Sequence, residues 1–160
     1  EKGVHVLLEA LRRMPRPARL RIAGEGPERE RLARLAGGLD VSFLGWLAPE
    51  QVRLELARAS VLALPSLWPE PWGLVGPEAM AEGRPVVAFS VGGIPEWLGH
   101  NRTGLLVPPG DAGALAEALA SLLDRPGDAR RMGQEARRAA REAFSESLHL
   151  DRLLALFMAA

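Results

Sequence analysis

The chain has 160 residues, 48% of them hydrophobic and 25% charged, with twenty basic and twenty acidic side chains in balance. That length corresponds to about one domain with a core of its own. Zero formal net charge excludes a broad electrostatic grip on nucleic acid or an anionic membrane, and the absence of cysteine excludes disulfides, thiolate catalysis and cysteine-ligated metals.

The opening residues "EKGV" have no strand or turn leading into them, so the chain reads as starting mid-structure. "VHVLLEALRRM" then repeats Leu7, Leu11 and Met14 at helical spacing until Pro15 and Pro17 end it. "LRIAG" (20–24) is a short strand, and "EGPERERLARLAGG" is a turn and a charged helix stopped by Gly37 and Gly38. "VSFLG" (41–45) is a second strand. "APEQVRLELARA" is a helix with Pro49 at its start. "SVLALP" (60–65) reads as a buried strand, followed by the stretch "PEPWGLVGPEAMAEGRP". Within it "GPEAMAEG" (76–83) is a short helix. "RPVVAF" (84–89) is a strand, "GGIPEWLG" (92–99) a turn with a helical stub, and "GLLVPP" (104–109) a last strand. Asp111 is placed to cap "AGALAEALASLLD", an Arg-rich helix follows, and Ser145 is placed to cap "ESLHLDRLLALFM".

Strands that alternate with helices and read as short continuous apolar runs predict a parallel sheet covered on both faces, a Rossmann-like three-layer α/β/α sandwich. Ligands of such sheets bind beyond the carboxyl ends of the strands. The "PEPWGLVGPE" turn stands at such an end, directly after "SVLALP".

A helix N-terminus offers unpaired N–H groups and a partial positive charge, and glycines before it let an anion approach the backbone. Gly73-Leu74-Val75-Gly76 therefore reads as an anion cradle, with phosphate the expected anion. Lys2, the only lysine, precedes the first helix and adds a mobile positive charge. A carboxylate accepts two hydrogen bonds and so matches a vicinal diol. Glu70 and Glu78 on either side of the cradle suggest a nucleoside-diphosphate sugar, with one diol held by each. His5, His100 and His149 form no pair at metal-ligand spacing, so no metal site is expected.

At these residues the sequence resembles a known family. "EPWGLVGPE" is similar to the E-x7-E motif of the family 4 retaining glycosyltransferases, the glycosyl transferases of group 1. "EAMAEGRPVVAFSVGGIPEWL" and "NRTGLLVPPGD" resemble the segments that follow it, while "KGVHVLLEAL", "IAGEGPERERL" and "VSFLGWL" resemble the earlier blocks in the same order. The resemblance covers nearly the whole of residues 1–160, read as a single domain, and implies the C-terminal, donor-binding half of a GT-B fold. It implies that Glu70 contacts the donor sugar near the reacting carbon and that Glu78 holds the ribose. Backbone amides at Gly73, Leu74 and Val75 then meet the phosphates or sugar, Lys2 binds the diphosphate, and the turn at Trp46 and Leu47 faces the base. The implied reaction is transfer of a sugar with retention from a UDP-, GDP- or ADP-sugar, without cofactor or metal. The implied partner is an N-terminal acceptor-binding domain, without which the isolated domain is expected to be inactive.

The chain departs from the family pattern in places. Trp72 stands where the family has phenylalanine, and Pro77 where it has leucine. The strand and turn that precede the "KG" block, and an arginine in them, are not in the sequence. In a Rossmann strand order the first strand is central, so a gap is expected between the "LRIAG" and "SVLALP" strands. Other readings are a non-catalytic nucleotide-binding or interaction module, a GT-B epimerase or phosphorylase, and a glycoside hydrolase using the glutamate pair, which would need no phosphate cradle. "GEGPER" (24–29) imitates a dinucleotide fingerprint, but Arg29 replaces its last glycine. With no apolar run of transmembrane length and no secretory signal, a cytoplasmic location is the expectation. The lipid-linked acceptors of the family add peripheral docking at the inner membrane face.

Overall fold

The computed structural model describes residues 1–144 together with 150, 153–155, 157 and 158. The helix expected over 146–158, with its Ser145 cap, falls mostly outside the described residues. In chain order the elements are α1 (Val4–Arg13), β1 (Leu20–Ala23), α2 (Arg29–Leu35), β2 (Val41–Gly45), α3 (Pro49–Arg58) and β3 (Leu62–Leu64). There follow α4 (Val75–Ala81), β4 (Val86–Phe89), α5 (Ile94–Trp97), β5 (Gly104–Val107), α6 (Ala112–Asp124) and α7 (Pro126–Ala143).

The layering follows from β4, whose four residues are all buried. Side chains alternate across a strand. Val87 and Phe89 pack with Val6, Leu7 and Ala10 of α1 and with Leu115 and Leu119 of α6. Val86 and Ala88 pack on the opposite face with Leu56 of α3, Ala79 and Met80 of α4, Ile94 and Trp97 of α5, and Ala136 and Ala140 of α7. Helices thus cover both faces of parallel strands, and the architecture is Rossmann-like α/β/α.

The sheet is in two pieces. β1 pairs in parallel with β2, while β3, β4 and β5 form a separate parallel set in that order. The break lies between β1 and β3, where strand order leads one to expect the gap. It also corrects the reading of "SVLALP" as a buried strand. Only Leu62–Leu64 pair, all three are half-buried, and β3 is the edge of its sheet.

α1 bridges the two pieces. Val6, Leu7 and Ala10 face the β4–β5 core, whereas Leu8 and Leu11 pack with Ala36 and, half-buried around them, Leu20, Val41 and Phe43 of the β1–β2 piece. Each such leucine is worth about 1.5–3 kcal/mol of burial, and here it joins two sheets that share no strand pairing. At the other end of α1, Arg12 donates to the carbonyl oxygens of Leu35 (2.6 Å) and Gly37 (2.9 Å), acceptors left over by the end of α2.

Helix starts follow local chemistry. Asp111 caps α6 by accepting from the Ala114 N–H at 2.9 Å. Pro49 is the first residue of α3, and the Gln51 side chain accepts from the Ala48 N–H at 2.9 Å.

Leu115 is wholly buried in the α1–α6 core. Leu115→Ala should lower the unfolding free energy by about 2–5 kcal/mol. Urea unfolding checks this, and a loss well under that range would mean that the α1–α6 layer is not the main core.

Candidate functional site

The turn after β3 carries the carboxylate on which the site is built. Pro69 and Pro71 flank Glu70, which limits the backbone on both sides of it. The Glu70 N–H donates to the Trp68 carbonyl at 2.7 Å, and the Glu70 carbonyl accepts from the Gly93 N–H at 2.9 Å. The turn after β4 can come this close because residue 92 is glycine. A Cβ there would lie 2.2 Å from the Glu70 carbonyl oxygen.

The side chain is held as well. Glu70 is 9% exposed, and its Oε1 accepts from the Ser66 hydroxyl at 2.8 Å and from the Lys2 ammonium. Lys2 reaches it because α1 begins against the end of β3. Leu67 and Trp68 donate their N–H groups to the Glu1 carbonyl at 2.8 and 3.2 Å. Gly3 has a left-handed backbone (φ 65°) and passes so close to Pro65 that a Cβ would lie 1.8 Å from its carbonyl oxygen. The Lys2 side chain itself remains 71% exposed.

The hydrogen bond from Lys2 holds the Glu70 carboxyl below its ordinary value. Burial opposes this, and the Ser66 hydrogen bond and the charge of Lys2 reinforce it. Glu70 is therefore an anion at neutral pH.

The segment 73–75 is open. The N–H groups of Gly73, Leu74 and Val75 donate to no backbone or side-chain acceptor among the described residues. Gly73 is left-handed (φ 69°), and Leu74 is exposed. Gly76 is not part of the opening. Its N–H donates to the Gly73 carbonyl at 2.8 Å, and a Cβ on it would lie 2.0 Å from the ring of Trp97. The glycine there serves the packing of α4 on α5. Trp97 in turn donates its indole N–H to the Trp72 carbonyl at 2.6 Å and so fixes the turn from below.

The structure therefore joins Lys2 to Glu70 directly, and Gly73 follows close by, where a Cβ would lie 4.0 Å from that of Glu70. Glu78 lies in the first turn of α4, exposed, with no ion pair among the described residues. Trp46, 71% exposed, and half-buried Leu47 follow the carboxyl end of β2 and make no contact with Glu70 among the described hydrogen bonds. Trp68 and Trp72, on either side of Glu70, are exposed, and the Trp72 ring meets Phe144 edge-on at 5.9 Å. Among the described residues no three His, Asp or Glu side chains gather as a metal site.

Ser66, Gly92, Gly93 and Trp97 also shape this site, through contacts that the sequence does not display. Ser66 had one available signal, a small hydroxyl residue four positions before the carboxylate at the end of a strand.

Residues 1–125 match the family model described as glycosyl transferases group 1. The glycogen synthase of Mycobacterium tuberculosis is 39% identical over 144 residues, covering 86% of this chain and 34% of that protein. The sucrose-phosphate synthase of Thermosynechococcus elongatus superposes with a TM-score of 0.88 at 36% identity, over 99% of this chain and 43% of that one. HepE of Anabaena, solved in complex with UDP and glucose, gives a TM-score of 0.90 at 27% identity, over 99% and 45% of the two chains. The chain spans about a third of the length of the curated relatives it matches.

The Glu70 carboxyl has a folded-state value below its unfolded one. Its contribution to stability is then complete above the unfolded value, about 4.3, and is lost as pH falls through the folded value. The stability gap between wild type and Glu70→Gln should be largest at pH 7 and shrink under acid conditions below that range. Denaturant unfolding across pH measures it, and a gap independent of pH would mean that Lys2 and Ser66 do not hold the carboxylate.

Proposed function

The chain belongs to the glycosyl transferases of group 1, and from that membership we propose that it is the donor-binding, C-terminal half of a retaining GT-B glycosyltransferase. In this reading it binds a nucleoside-diphosphate sugar, and the sugar passes to an acceptor held by a further domain of the parent enzyme. The observation that carries the reading is the Lys2–Glu70 pair, with Glu70 in the same turn beyond β3 as three amides that have no acceptor among the described residues. A mobile cation and an anion cradle suit a diphosphate, and a fixed carboxylate next to them suits the sugar attached to it. The complex of the Anabaena relative with UDP and glucose supports the same ligand class.

The chemistry follows from the charges. The bond between the anomeric carbon and the diphosphate oxygen breaks, and its electron pair leaves with the nucleoside diphosphate. The acceptor hydroxyl bonds to the same face of that carbon and passes its proton to the departing diphosphate oxygen. Lys2 and the amides of Gly73, Leu74 and Val75 stabilise the negative charge growing on the leaving group. Glu70 faces the positive charge growing on the sugar, and it is ionised for that role because its carboxyl is held below the ordinary range. Lys2 turns from Glu70 to the diphosphate when the donor arrives. Its side chain is mostly exposed on a flexible stem, so it can exchange one anion for another without leaving a buried position. Glu78, free on the first turn of α4, accepts from the ribose hydroxyls, and Trp46 and Leu47 adjoin the base. No protein-bound metal is needed, because Lys2 and the amides carry the counter-charge.

The two glutamates should separate in their effects. Glu78→Ala should weaken binding of the free nucleoside diphosphate about tenfold, the loss of hydrogen bonds to a charged acceptor. Glu70→Ala in the parent enzyme should leave nucleotide affinity near wild type while turnover falls at least about a hundredfold. Calorimetry and initial rates measure both. Unchanged nucleotide affinity in Glu78→Ala would sink the ribose assignment, and near-normal turnover in Glu70→Ala would sink the other.

A further inference from the structure

We propose that Ser66 is a positioning residue: its hydroxyl holds Oε1 of Glu70 inward, so that Oε2 is the oxygen presented to a ligand. Both hydrogen bonds to the carboxylate, from Ser66 and from Lys2, go to Oε1. Oε2 has no partner among the described residues, yet it is not sealed in, because among them Arg84 Nε alone is buried and unpaired. One oxygen is thus engaged and the other is open.

The two donors differ in permanence. Ser66 is 1% exposed, directly after buried Pro65 at the end of β3, whereas the Lys2 side chain is 71% exposed. A lysine on a flexible stem can leave for another anion, but a buried hydroxyl with its backbone fixed by a strand end cannot. When Lys2 departs, Ser66 is the remaining described partner of the Glu70 side chain. The backbone is pinned independently by the Gly93 N–H. Ser66 therefore sets which way the carboxylate faces, not where the residue sits. The placement of Oε1 and Oε2 stands on geometry alone. That the ligand is a donor sugar rests on the proposed function.

The test is a titration of the Glu70 side-chain carboxyl, followed by its ¹³C resonance, in the intact chain and in Ser66→Ala. Among the described residues Lys2 is the charged group bonded to this carboxyl, so Lys2→Ala serves as the reference for loss of the other donor. Ser66→Cys, which keeps a similar volume but donates weakly, guards against a misfolded alanine variant. The midpoint should rise in Ser66→Ala and rise less in Ser66→Cys. An unmoved midpoint would overturn the proposal. The second readout is the affinity for UDP-, GDP- and ADP-glucose relative to the free diphosphates. Ser66→Ala should lower the sugar-nucleotide affinity about tenfold and leave that of the diphosphate near wild type. Equal loss of both, or no loss beside a raised midpoint, would make Ser66 merely structural and also overturn the positioning role. If the wild type binds none of these ligands, the donor reading fails, and the titration alone decides whether Ser66 holds Oε1.

Discussion

The seating of α1 against the end of β3 is the contact on which the rest depends. Gly3 comes within van der Waals range of the Pro65 carbonyl only because it has no Cβ, and the Glu1 carbonyl ties the turn 67–68 to the same spot. The start of α1 delivers Lys2 to Glu70. The body of α1 spans two sheets that share no strand pairing, with alternate apolar faces packed into each. One helix therefore joins the halves of the fold and supplies the cation of the site. A side chain larger than glycine at position 3 would disturb both together.

The electrostatics are local. The chain is neutral overall, and among the described residues eight of its arginines pair with carboxylates three or four residues away, where such exposed pairs contribute little. The single lysine is placed instead against the turn beyond β3, paired with Glu70. A compact ammonium on a long stem can exchange one anion for another, which a planar, bidentate arginine does less readily. In the resting structure the anion is Glu70; in the proposed complex it is the diphosphate. The carboxylate does not lose its place when the lysine leaves, because the Ser66 hydroxyl and the Gly93 N–H remain.

The sequence was most informative where a local rule coincided with the tertiary demand. The Asp111 cap, Pro49 at the start of α3, and the apolar run of β4 each follow from chemistry within a few residues. The position of the sheet break was legible too, through the family resemblance taken together with a Rossmann strand order. What escaped was set by contacts across the chain. β3 has the composition of a buried strand, but its exposure depends on which neighbours pair with it. Gly76 reads as a residue that opens the backbone to an anion, yet it is glycine because Trp97, twenty-one residues away, occupies the space. Ser66 offers only the spacing of a small hydroxyl residue four positions before Glu70, because "LPSLWPEP" does not itself say that the turn brings the two side chains together. Glu70 and Lys2 were legible as candidate residues from the motif and the family resemblance, while their direct contact was not.

The central claim is that a nucleoside diphosphate with its sugar binds across Lys2, residues 73–75 and Glu70. Calorimetric titration of the intact chain with UDP, GDP and ADP, each free and as the glucose conjugate, tests it most directly. The account predicts saturable binding of one base in preference to the other two, with a heat that changes when the sugar is attached. Absence of binding to all six ligands by a chain that unfolds cooperatively would contradict it.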